Sequence, residues 1–249
     1  ATVRDLEMYY EIRGAGPRLL GINGTGADLR RPPTFFDTPL AGRFTILAFD
    51  QRGLGQTSRP DMPYSMADYA ADAEALLEAV GWERCLVMGI SFGGMVAQEF
   101  ALRYPQRVER LVLACASSGG AGGAPFPLHE LADLPAEEYA RRLIAVSDTR
   151  QDAAWQTAHP EQVQEMIAQT VAGLRFAADE PGRAMGARRQ LLARAQHDAY
   201  DRLPQLPMPV YVCGGLYDGV TPPANLRALA RQISGARLEL FEGGHGFLA

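Results

Sequence analysis

The stretch Gly89-Ile90-Ser91-Phe92-Gly93-Gly94 places a serine between glycines two residues away on either side. It follows an apolar run that reads as a strand and opens a run that reads as a helix. In that setting the spacing is that of a nucleophile elbow, a turn so sharp that the serine Oγ projects above the sheet. Large side chains at the flanking positions would collide there, which accounts for Gly89 and Gly93, and Gly94 lets the helix come closer to the strand. The N-terminus of that helix also aims partial positive charge at the point where an oxyanion would develop. The chemistry expected is attack by Ser91 on an acyl carbon.

A serine hydroxyl needs a base, and the base needs an orienting acid. All 24 Lys and Arg residues are arginine, so no lysine is available. That excludes Ser-Lys dyads, Schiff-base and pyridoxal-phosphate enzymes, and the P-loop. Four histidines remain. His129, His159 and His197 fall in a segment that reads as an insertion, away from strand ends. His245 stands in Glu242-Gly243-Gly244-His245-Gly246-Phe247, just after the last expected strand, where glycines leave it free to reach back over the sheet. It is the expected base. The acid is expected after the penultimate strand, where Asp218 precedes His245 by about 27 residues. An Asx-turn before the helix near Pro222 and Pro223 is the structural reading of the same residue, and Asp50, at the end of an earlier strand, is the alternative acid.

Two backbone N–H groups are expected to form an oxyanion hole: that of Phe92, next to the nucleophile, and that of Thr25, in the loop Asn23-Gly24-Thr25-Gly26-Ala27-Asp28. Met95, Leu216 and Phe247, with Phe126 and Trp155 from the insertion, are candidates for an apolar acyl pocket, core packing being the competing reading of each.

The elements that must position these residues are legible as short apolar runs at Leu19–Ile22, Thr45–Phe49, Cys85–Ile90, Leu111–Cys115, Val210–Cys213 and Leu238–Phe241. Bounded by Gly, Asn, Asp or Ser, they read as strands buried on both faces of a parallel sheet. Residues 2–13 alternate as one antiparallel strand. Helices are expected from a cap at Ser65 through Val80, over 92–104 before Pro105, and over 223–233. The alternation stops between about 116 and 200, where helical patterns lie at Pro135–Val146, Glu161–Phe176 and Arg183–Gln196. The middle one carries Val163, Met166, Ile167, Thr170, Val171 and Leu174 on one stripe. The expected organisation is a core of residues 1–118 and 200–249 with a helical cap, or lid, over 119–199.

The elbow, the late Asp218, the final Gly-Gly-His and the segment Phe49-Asp50-Gln51-Arg52-Gly53-Leu54-Gly55-Gln56-Thr57 together resemble the α/β-hydrolase fold superfamily. Asn23–Leu29, Gly93–Gln98 and Asp218–Pro223 look like its branch of 3-oxoadipate enol-lactonases and small esterases. Asn23 stands where many members have histidine, and a serine rather than an aspartate at the nucleophile argues against haloalkane dehalogenase and epoxide hydrolase chemistry. The resemblance implies a cofactor-independent serine hydrolase of an ester or lactone, with no metal. The alternatives are a carbon–carbon bond hydrolase or perhydrolase with the same triad, or a protein that binds a small signal without turning it over.

The 249 residues are 47% hydrophobic and 21% charged, enough to bury a sizeable core. A net charge of −5 with dispersed arginines gives no nucleic-acid footprint. No apolar stretch approaches the roughly 18 residues of a membrane span, and the N-terminus shows no signal-peptide core. Cys85, Cys115 and Cys213, widely spaced in apolar runs, read as buried thiols of a reducing compartment. A cytoplasmic monomer or homodimer acting on a small molecule is expected.

Overall fold

The computed structural model describes residues 1–248. Seven strands form one sheet in the order β3-β5-β4-β6-β7-β8-β9. They are β3 (Tyr10–Arg13), β4 (Arg18–Ile22), β5 (Thr45–Phe49), β6 (Cys85–Ile90), β7 (Val108–Ala114), β8 (Val210–Gly215) and β9 (Arg237–Phe241). Edge strand β3 runs antiparallel to β5, and every other pairing is parallel. The chain passes from β4 to β5 on one side and then to β6 on the other, so the order reverses at β4. Open α/β sheets bind ligands in the crevice at such a switch point, beyond the carboxyl ends of the strands. The ends of β4 and β6 carry the Asn23–Asp28 loop and Ser91.

Residues 2–13 are not one strand. Thr2–Val3 (β1) and Leu6–Glu7 (β2) make a small separate hairpin, turning at Arg4 with φ 52°, and β3 alone joins the main sheet. The run at Leu111–Cys115 begins three residues earlier than expected and stops at Ala114, because Cys115 turns to φ 41°.

Helix α1 (Met66–Ala79) starts with a reciprocal cap: Ser65 Oγ accepts the Asp68 N–H, and Asp68 Oδ2 accepts the Ser65 N–H. That satisfies two of the donors a helix N-terminus otherwise leaves free. Helix α2 (Phe92–Arg103) ends before Pro105. Together α1 and α2 bury Tyr69, Leu76, Leu77, Val96 and Phe100 against Leu20, Val87 and Leu113 of the sheet. Burial of each such side chain is worth about 1.5–3 kcal/mol relative to exposure.

Between β7 and β8 lie α3 (Ala136–Ser147), α4 (Ala153–Ala158), α5 (Pro160–Arg175) and α6 (Arg183–Ala195). Ala140 and Ile144 of α3 pack on Val163 and Ile167 of α5. The expected stripe on α5 is buried only in part, since Leu174 is 45% exposed. Helix α7 (Pro223–Gln232) then returns the chain to the sheet. All three cysteines are free and buried. Among the described residues no helix is long and apolar enough to cross a membrane.

Candidate active site

Ser91 sits between β6 and α2 with φ 54° and ψ −116°, a conformation that L-residues rarely adopt and that costs of order 1–3 kcal/mol. Its neighbours have no room for side chains. A Cβ on Gly89 would overlap the Gly93 carbonyl, and one on Gly93 would overlap the carbonyl oxygens of Ile22 and Asn23. The Ser91 N–H donates to Ala114 O at 2.8 Å, fastening the turn to β7.

His245 Nε2 lies 2.9 Å from Ser91 Oγ, and His245 Nδ1 lies 2.7 Å from Asp218 Oδ2. A carboxylate only accepts, so Nδ1 carries the proton and Nε2 is left to accept from the serine hydroxyl. The other Asp218 oxygen accepts the N–H groups of Val220 and Thr221, each at 2.8 Å. The loops carrying acid and base are cross-tied, with Tyr217 N–H donating to Gly243 O. The end of α3 supports both: the N–H of His245 donates to Ser147 O and that of Gly219 to Val146 O.

Asp50 is elsewhere engaged. Its two oxygens accept the N–H groups of Leu29 and Gln56, so this buried carboxylate, its pKa raised by desolvation, staples two loops together. The remaining histidines do not approach Ser91. His159 stacks on Trp155, His197 is buried beside Gln98, and the Nδ1 of His129 is buried without a partner.

The loop after β4 lies over the serine, since a Cβ on Gly24 would be 3.6 Å from Ser91 Cβ. Among the described residues, the N–H groups of Thr25 and Phe92 have no protein acceptor. One belongs to the residue after Ser91 and the other to the residue after Gly24, and both donors are free.

Thr25 and Gly26 also open onto a cavity of about 890 Å³. Its other walls are Tyr139 and Leu143 of α3, Thr170 and Leu174 of α5, and Met185, Gln190 and Leu191 of α6. None of the five expected pocket residues lines it. Met95, on the buried face of α2, is part of the main core. Phe126 packs on Leu128, Leu131 and Val220, Trp155 on His159, and Phe247 on Phe241. Leu216 is 37% exposed. Aromatic and large apolar residues were the natural candidates by type, whereas the cavity wall is set by which helix faces converge. A more open hollow of about 610 Å³ between α3 and α5 holds none of these groups. Among the described residues, no three His, Cys, Asp or Glu side chains are grouped to hold a metal ion.

The chain is 29% identical over 238 residues to the poly(3-hydroxyalkanoate) depolymerase of Ectopseudomonas oleovorans, covering 92% of this chain and 78% of that one. It is 24% identical over 249 residues to 3-oxoadipate enol-lactonase 2 of Acinetobacter baylyi, covering 98% and 88%. Uncharacterized mycobacterial proteins match at 38% over 143 residues, and there the chain spans only 41% of their length. The crystal structure of the enol-lactonase from Burkholderia xenovorans superposes with a TM-score of 0.77 at 24% identity, covering 98% of this chain and 92% of that one. The model of the alpha/beta hydrolase fold family matches residues 17–248. With its parallel sheet, reversed strand order and serine at the strand–helix turn, the chain belongs to the alpha/beta hydrolase fold family.

Proposed function

We propose that the protein is a serine hydrolase of carboxylic esters or lactones, with Ser91 as nucleophile, His245 as base and Asp218 as its orienting acid. The observation that carries this reading is the continuous hydrogen-bonded line from Ser91 Oγ through His245 to Asp218, at 2.9 and 2.7 Å. As Ser91 attacks the carbonyl carbon, its proton passes to His245 Nε2, and the Asp218 carboxylate stabilises the imidazolium that forms. The N–H groups of Phe92 and Thr25 hold the tetrahedral oxyanion, a contribution of about 3 kcal/mol for each such donor. His245 then protonates the departing alcohol oxygen, leaving an ester on Ser91. Water, deprotonated by the same nitrogen, releases the acid and restores the serine.

In this reading residues 119–199 act as a cap, and the acyl or alcohol part of the substrate occupies the cavity between α3, α5 and α6. Relatives named for a lactone and for a poly(3-hydroxyalkanoate) support an acyl–oxygen bond as the target. Ser91→Ala is expected to abolish both hydrolysis of short p-nitrophenyl esters and labelling by a fluorophosphonate. Labelling retained in that variant would overturn the assignment. Wild-type protein that binds such esters without turning them over would instead be a binding protein.

A further inference from the structure

The loop Asn23–Asp28 has no regular structure to hold it, yet one of its amides must stay within hydrogen-bonding reach of a developing oxyanion. Its internal bond, Ala27 N–H to Gly24 O, is long at 3.4 Å. Gly26 at its crest has φ 69°, a left-handed conformation. The crest is fastened from the insertion: the Gly26 N–H donates to Gln190 Oε1 at 2.8 Å, across 164 residues of sequence. A second tie lies two residues on, where Arg183 donates to Asp28 Oδ2 at 3.0 Å. Gln190 and Arg183 both belong to α6.

Helix α6 is itself seated firmly. Gly186 packs directly on the backbone of Gly53, and Arg194 donates to Phe126 O at 2.6 Å. Gln190 is fully buried. Because the Gly26 N–H can only donate, the side-chain amide must turn its oxygen toward the loop, which leaves Nε2 buried with no partner. An unsatisfied buried donor is destabilising, since it loses its bond to water and gains none in return. An apolar residue would avoid that cost but would orphan Gly26. Stability alone therefore does not account for a glutamine here.

We propose that Gln190 is a positioning residue, which fixes the Thr25–Gly26 peptide from α6 and thereby holds the Thr25 N–H on the oxyanion. The proposal rests on the hydrolase reading above. It makes the insertion part of the catalytic geometry rather than only a cover for the cavity.

The test compares Gln190→Met, which removes the acceptor, with Gln190→Glu, which keeps an acceptor oxygen whether ionised or protonated. With p-nitrophenyl butyrate, Q190M is expected to lose about 10- to 100-fold in kcat with KM changed less than about twofold. Q190E is expected to recover most of that loss. Inhibition by a trifluoromethyl ketone, which binds as an oxyanion, is expected to weaken in parallel with kcat/KM. Hydrogen exchange on the wild-type protein needs no variant to fold: the Gly26 amide is expected to exchange more slowly than that of Thr25. Unchanged kcat in Q190M, a loss confined to KM, an equal loss in Q190E, or a Gly26 amide as fast as Thr25 would each overturn the proposal. Absence of wild-type turnover would instead strike at the hydrolase reading, which the exchange measurement does not depend on.

Discussion

Asp218 divides its carboxylate between two tasks: one oxygen meets His245 Nδ1 at 2.7 Å, and the other accepts from the backbone of Val220 and Thr221. An asparagine in its place must keep its oxygen on the two backbone donors, which leaves its NH₂ facing Nδ1. That forces the proton to Nε2, the wrong nitrogen for accepting from Ser91. Asp218→Asn is therefore expected to fold normally and to lose about 10³- to 10⁴-fold in kcat. Steady-state ester hydrolysis beside a thermal melt checks both halves of the expectation.

Ser91 holds its hydroxyl in place through a backbone conformation that glycine adopts far more readily than serine or alanine. Both Ser91→Ala and Ser91→Gly remove the hydroxyl, but only the glycine relieves the φ of 54°. Urea denaturation is expected to find Ser91→Gly more stable than Ser91→Ala by about 1 kcal/mol, relief of strain outweighing the greater unfolded-state entropy of glycine. Equal stabilities would mean that the elbow stores no strain.

What could be read beforehand follows the range of the forces involved. The elbow, the strand-end aspartate and the glycine-flanked histidine are local patterns with local causes, so Ser91, Asp218 and His245 could be picked out one by one. The short apolar runs likewise marked six of the seven strands of the main sheet. Residues 2–13 misled because their alternation is real, but Arg4 turns the chain within it. Helix α4, six residues long, is too short to show a period. Gln190 left no local signal, because its partner is a backbone amide 164 residues away in the sequence. The cavity wall left no signal for the same reason: Tyr139 and Leu143 of α3, Leu174 of α5 and Met185 and Leu191 of α6 meet there only once three helices have packed.

His197 gives stability a pH dependence of its own. It is buried beside Gln98, and desolvation of the charged form lowers its pKa to about 4, against the partial opposition of Glu99. Between pH 6.5 and about 4 the unfolded chain binds a proton that the folded chain does not. Its contribution is therefore fully present above pH 6.5 and is lost as pH falls to about 4, a change of up to ~3 kcal/mol. His197→Gln is expected to flatten this part of the stability curve, as measured by urea denaturation at several pH values across the window. A curve as steep as that of the wild type would assign the acid sensitivity to other groups.

Gly93 shows how close the elbow stands to the loop after β4. A methyl group there would drive into the carbonyl oxygens of Ile22 and Asn23, at the very end of β4. Neither is a flexible side chain that could swing away, so Gly93→Ala must separate α2 from β4 and shift Ser91 relative to the Asn23–Asp28 loop. A loss of stability of about 1–3 kcal/mol is expected from overpacking, with a fall of about 100-fold or more in kcat from the displaced geometry. Gly42→Ala is the matched control: no atom lies within 4 Å of its added carbon. It is expected to leave activity unchanged and stability the same or slightly higher. Because the collision at Gly93 is with the strand that carries the loop, the damage should appear in kcat beyond what the lost stability explains. A Gly93→Ala enzyme that is destabilised but fully active at low temperature would show that the serine and the loop are not rigidly coupled.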